Sequence, residues 1–197
     1  MKKKINILLF LLIVLFPVKS FGKNSEILKI GNDNAKITVR VFSSLTCPHC
    51  ASFHLNIFDN LKKEFIDKGE VKFEHHSFPL DMAALNAEKI MRCTESLDKS
   101  FQLLGEIYKK QKLWAVGSDI SKINESLMII AEKNNLSKSN ILKCLQDENL
   151  QDLILNERIS AQKKYKISST PTIYINKKKY EGRHNYKDFK KEIERVL

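Results

Sequence analysis

An α/β fold interrupted by a long all-helical insertion is the architecture this sequence predicts. Three observations predict it. Strand and helix signals alternate as far as residue 80. From Asp81 to about Lys166 the apolar spacing is helical only. Strand signal returns at Thr172-Ile173-Tyr174-Ile175, followed by a hairpin and a closing helix.

The elements follow in order. Met1-Lys2-Lys3-Lys4 is basic, and Ile5 to Val18 is apolar apart from Asn6 and Pro17. Ser20 and Gly22 are small and two apart. This is the pattern of a secretory signal peptide, residues 1–22, cleaved after Gly22; the apolar run is too short to span a bilayer comfortably. The competing reading is a retained short anchor. The first cysteine is Cys47, so none is placed for a lipid anchor. Export implies a compartment in which disulfides persist. After cleavage 175 residues remain (197 − 22), one domain or one domain with an insertion.

Glu26 to Ile30 reads as a short first strand. Ile37-Thr38-Val39-Arg40-Val41-Phe42 alternates and reads as a second. Phe53, Ile57, Leu61 and Phe65 recur every four and mark one helix face, which Gly69 ends. Val71-Lys72-Phe73-Glu74-His75 is the next strand. Helical clusters follow at Ala84, Ala87, Ile90 and Met91, then at Phe101, Leu104 and Tyr108. Further ones fall at Ile123, Leu127 and Ile130, and at Leu150, Leu153, Ile154 and Ile159. Gly117-Ser118 and Asn134-Asn135 break the run. Asn176-Lys177 turns the chain toward Lys179-Tyr180, and Asn185 caps a last helix with Phe189, Ile193 and Val196 on its apolar face. The expected division is 1–22, 23–80, 81–155 as the helical insertion, and 156–197.

Chemistry concentrates at Cys47-Pro48-His49-Cys50, where a strand hands over to a helix. Two thiols at this spacing close and reopen a small disulfide ring. At the helix start, free N–H groups and the helix dipole favour the Cys47 thiolate, and a protonated His49 adds a second positive partner. Pro48 opens the helix with a preset φ. Cys50, one turn in, is the resolving thiol. The alternative is a metal-binding or holdase module using both sulfurs as ligands. His54, His75 and His76 read as helix-face and strand residues, and no other Cys or His lies at metal-ligand spacing. No metal and no cofactor is expected.

Cys93 and Cys144 bring the cysteine count to four, even in an exported chain. A structural bridge between them is favoured; two inert thiols or a second redox relay remain open. The net charge is +11, of which the leader carries +4. Of 34 basic residues 29 are lysine, and runs such as Lys177-Lys178-Lys179 are not interleaved with aromatics. A lysine-rich solvated surface is therefore preferred over a nucleic-acid or membrane face.

The chain resembles the DsbA-like disulfide oxidoreductases, a thioredoxin fold (mixed central sheet flanked by helices) with an inserted helical domain. The resemblance is carried by Phe42 through Cys50, by Ser77-Phe78-Pro79-Leu80-Asp81, by Ser169-Thr170-Pro171-Thr172, and by Gly182 with Asn185-Tyr186 before a helix. It implies a cis Pro171 that brings the Thr170 backbone beside Cys47, where an extended substrate pairs with it. It implies a periplasmic enzyme that oxidises reduced, unfolded exported proteins and is re-oxidised by a quinone-linked membrane protein. One position departs from the family pattern. Relatives often carry a buried acid six residues before the first cysteine, where Val41 stands here. An isomerase or reductase of the same fold is the runner-up. The short stretch from Lys23 to Ala35 leaves no room for a dimerisation domain, so a monomer is expected.

Overall fold

The computed structural model describes residues 27–197. The expected signal segment, its cleavage point at Gly22, and Glu26 lie outside the described residues. Strands β1 Leu28–Ile30, β2 Ile37–Ser43, β3 Val71–Ser77, β4 Thr172–Ile175 and β5 Lys178–Lys179 form one sheet, ordered β1-β3-β2-β4-β5. β2 and β3 run parallel and the other pairs antiparallel. The parallel pair needs a helical crossover, and the chain supplies one between them. Alternation in β2 sorts the side chains. Ile37, Val39 and Val41 face the main core, while Phe42 packs with Phe78, Ala161 and Ile167 in a second cluster.

The crossover is helical from residue 48 to 66 in four stretches. These are α1 Pro48–Phe53, a π-helical His54–Phe58, α2 Asp59–Leu61, and a π-helical Lys62–Ile66. The apolar spacing accounts for the π segments. A strict repeat of four drifts by about 40° per step around a helix of 3.6 residues per turn. Wider π turns cancel that drift and keep Phe53, Ile57, Leu61 and Phe65 on the core side. All four are buried, and the broadened face takes in His54 and Phe58 as well. Gly69 ends the helix at φ +77°, its N–H donating to the Ile66 carbonyl at 2.9 Å.

Between β3 and β4 lie α3 Met82–Met91, α4 Leu97–Lys109, α5 Gln111–Trp114, α6 Ile120–Glu132, α7 Lys138–Gln146 and α8 Glu148–Tyr165. Side chains of Asp81, Ser96, Asp119, Ser137 and Asp147 accept the first free N–H groups of five of them. Gly117 and Asn135, both at positive φ, make the two expected breaks. The division expected at 155/156 falls inside α8, which is continuous and packs on both α3 and β3. Ile159, expected on an apolar helix face, is instead 46 % exposed. α9 Tyr186–Val196 closes the fold, and the Asn185 side chain accepts the Asp188 N–H as expected. Cys93, just beyond α3, and Cys144 in α7 are joined by a disulfide, Cα–Cα 6.0 Å.

Candidate active site

Cys47 is the N-cap residue of α1 and Pro48 occupies the first turn. The preceding turn is closed by the Cys47 N–H donating to the Ser44 carbonyl at 3.1 Å. Its side chains are tied to the insertion. Thr46 Oγ1 donates to Asp81 Oδ2 at 2.8 Å, and the Leu80 N–H donates to Ser44 Oγ at 3.3 Å. Gln111 Nε2, from α5, donates to the Leu45 carbonyl at 2.7 Å and the Cys47 carbonyl at 3.1 Å.

Both active-site cysteines are free thiols. Cys50 is 1 % exposed, as a resolving thiol should be. Cys47 is also largely covered, at 7 % exposed. The loop before β4 covers it: the Thr170–Pro171 peptide bond is cis, and Cys47 Sγ donates to the Thr170 carbonyl at 3.3 Å. The buried Thr170 hydroxyl faces both sulfurs and makes no other hydrogen bond among the described residues.

The two thiols are driven apart electrostatically. The Cys50 thiol as hydrogen-bond donor, then the Thr170 side chain and the Cys50 and His49 backbone N–H groups, hold the Cys47 pKa down to about 5 against the opposing effect of burial. Burial, then the neighbouring Cys47, pushes Cys50 far above the ordinary thiol range. His49 and Pro48 are exposed, and it is the His49 amide that reaches the Cys47 sulfur. His184, which sequence reasoning did not single out, lies close enough to His49 that burial and that neighbour both lower its pKa.

Between β3 and the helices of the insertion lies a buried polar cluster that the sequence reading passed over. Val41, at the departing position, is buried, and its register partner on β3 is His75. His75 Nε2 lies 2.9 Å from Glu88 Oε1, and the Ser77 hydroxyl donates to Glu88 Oε2 at 2.8 Å. Arg92 bonds Ser77 and Glu157 at 2.7 and 2.6 Å. Glu88, His75 and Arg92 are each under a tenth exposed. The available signal was a charged residue on the apolar face of α3, at 88 beside Ala84, Ala87 and Met91. His54 is buried against Phe58 and Tyr108, and burial, then His75, depresses its pKa to about 3, so it is neutral. His76 belongs to β3 with His75. No group of three or more metal-binding side chains is gathered among the described residues.

Sheet order, helical insertion and a Cys-X-X-Cys facing a cis-proline define a thioredoxin-type dithiol protein, and the Thioredoxin family model matches residues 23–195. The chain belongs to the thioredoxin family. Within it the chain is DsbA-like. The crystal structure of Wolbachia pipientis alpha-DsbA1 superposes with a TM-score of 0.81 at 27 % identity, covering 92 % of this chain and 93 % of that one. Disulfide bond formation protein D of Bacillus subtilis is 29 % identical over 180 residues, 85 % of this chain and 76 % of that protein. A putative protein-disulfide oxidoreductase of Rickettsia bellii is 30 % identical over 148 residues, 75 % of this chain. This chain spans only 56 % of the length of that relative.

Proposed function

We propose that this chain is an exported dithiol–disulfide oxidoreductase whose Cys47–Cys50 disulfide is passed to reduced proteins outside the cytoplasm. One observation carries the reading: Cys47 caps a helix, with the buried Cys50 one turn in and the cis Thr170–Pro171 bond facing its sulfur, surroundings that hold the Cys47 thiol down and push its partner up. A thiol of low pKa is a good leaving group, and a stabilised thiolate favours the reduced enzyme, which makes the disulfide form oxidising. The relatives named protein-disulfide oxidoreductase and disulfide bond formation protein D support the same class.

The reaction takes two exchanges. A substrate thiolate attacks Cys47 Sγ of the oxidised pair; the Cys47–Cys50 bond breaks and Cys50 leaves, taking a proton. A second substrate thiolate then attacks the substrate sulfur of the mixed disulfide, and Cys47 departs as thiolate. The substrate loses two electrons and the enzyme pair gains them. Thr170 and cis-Pro171 present backbone to an extended substrate, and Pro48 and His49 shape the helix start. A quinone-linked membrane protein returns the pair to the disulfide. The chain acts as a monomer, after removal of residues 1–22 in the periplasm, and uses no cofactor.

Equilibration of the purified protein against glutathione buffers tests the class. The pair should sit above about −180 mV; a value near the −270 mV of a thioredoxin overturns the oxidase reading. Sedimentation and refolding of a scrambled multi-disulfide substrate test the rest. A monomer that oxidises reduced peptide quickly and reshuffles poorly is expected, whereas a dimer that rescues the scrambled substrate makes the chain an isomerase. Cell fractionation should find the protein outside the cytoplasm and shortened by its leader.

A further inference from the structure

Gln111 is buried at 6 % exposure, lies in the helical insertion, and spends both hydrogen bonds of its side-chain nitrogen on the catalytic loop. The two acceptors, the carbonyls of Leu45 and Cys47, flank Thr46 and bracket the end of the turn that delivers Cys47 to α1. The Cys47 carbonyl also receives the N–H groups of Cys50 and Ala51, both at 3.1 Å, and so belongs to the first turn of the helix. One side chain thus locks the turn and the helix start together. The orientation of that junction decides whether the His49 and Cys50 amides point at the Cys47 sulfur. The outer side of the loop is held by the Thr46–Asp81 bond, which is exposed, so Gln111 is the buried half of the grip.

We infer that Gln111 is a positioning residue for Cys47: the insertion reaches into the thioredoxin fold through this side chain and fixes the backbone whose amides acidify the thiol. The inference rests on the oxidoreductase reading above and deepens it, assigning the insertion a part in setting the reactivity of the dithiol. Without the two donors, two buried carbonyls lose their partner and the loop relaxes to find others. The amide bonds to the thiolate lengthen as it does so.

The test is the Cys47 titration, followed by thiolate absorbance in the reduced protein. Gln111→Met keeps length and volume but has no donor. Losing one aligned donor to an ionised acceptor, a charge-assisted bond, should raise the Cys47 midpoint by about one to two units. The variant should also be displaced toward the disulfide form in a fixed glutathione buffer. Leu113→Ala, on the same short helix but with its side chain 76 % exposed, should leave the midpoint in place. A Gln111→Met protein that melts earlier yet titrates like the wild type overturns the inference and leaves Gln111 a purely structural clamp. Should Gln111→Met fail to fold, Gln111→Asn carries the same test. Its neutral amide is one methylene too short to reach both carbonyls, and an unchanged Cys47 midpoint there overturns the inference equally. A wild-type midpoint near the ordinary thiol value of about 8.5 overturns both this inference and the oxidase reading; a low wild-type midpoint with an unshifted variant overturns this one alone.

Discussion

Cys47 is acidified by near neighbours, Cys50 and the His49 amide, and by Thr170, which lies 123 residues further along the chain. It is the backbone N–H of His49 that reaches the sulfur, and alanine keeps that N–H. His49→Ala should therefore leave most of the Cys47 depression in place. Thr170→Val should raise the Cys47 midpoint by about one unit, since it removes a hydroxyl placed to donate to the thiolate. Thiolate absorbance against pH separates the two. A larger rise in His49→Ala than in Thr170→Val returns the tuning role to the imidazole. Cys50→Ser belongs to the same scale and should accumulate mixed disulfides with substrate thiols, since nothing inside the protein resolves them.

At the scale of elements, the helix after Cys47 shows how a sequence repeat selects a rare backbone form. The repeat of four at Phe53, Ile57, Leu61 and Phe65 is satisfied by inserting π turns rather than by turning apolar residues toward solvent. The Cys93–Cys144 bridge ties the end of α3 to α7 and closes a loop of 52 residues, one more than the separation of 51. Chain entropy assigns such a loop about 4 kcal/mol. Replacing both cysteines by alanine should lower the melting temperature by about 8–16 °C at roughly 2–4 °C per kcal/mol, while oxidase turnover persists. Calorimetry with a parallel peptide-oxidation assay checks this; loss of turnover at temperatures where the variant remains folded would tie the bridge to catalysis.

Across the whole molecule, the insertion and the sheet are joined through buried charge. Glu88 from α3 meets His75 and Ser77 from β3, and Arg92 links them to Glu157 on α8. Removing one member leaves the others buried without their partner. Glu88→Ala should cost about 3–5 kcal/mol in denaturant unfolding, and a loss under about 1 kcal/mol would show that water reaches the cluster. The dithiol also makes stability depend on pH in the reduced protein only. Cys47 has a folded pKa of about 5, below its unfolded value near 8.5. Between those values the unfolded chain binds the extra proton, so stability rises with pH across that window and is lost as pH falls through about 5. Cys50 is shifted upward, so above about 8.5 it acts with the opposite sign and stability declines. The difference in unfolding free energy between reduced and oxidised protein should therefore peak near pH 8.5; a flat difference from pH 5 to 8.5 contradicts the depressed thiol.

What the sequence determined by itself is whatever depends on spacing along the chain. The alternation of β2, the four-residue repeat behind it, the cap at Asn185, and the breaks at Gly117 and Asn135 are local patterns with local causes. The Cys-X-X-Cys at a strand–helix junction and the proline before β4 were legible for the same reason, since motif and flanking periodicity lie within a few residues. Tertiary structure alone decided how buried each group is and what it touches. The cover over Cys47 comes from Thr170, the clamp on its loop from Gln111, and the neutrality of His54 from the packing of Phe58 and Tyr108. Glu88 lies beside Ala84, Ala87 and Met91 along α3, and only the fold sets His75 opposite it. Periodicity reports which side of an element is apolar. Acidity and burial are set by partners that arrive from distant parts of the chain, and no local pattern encodes their arrival.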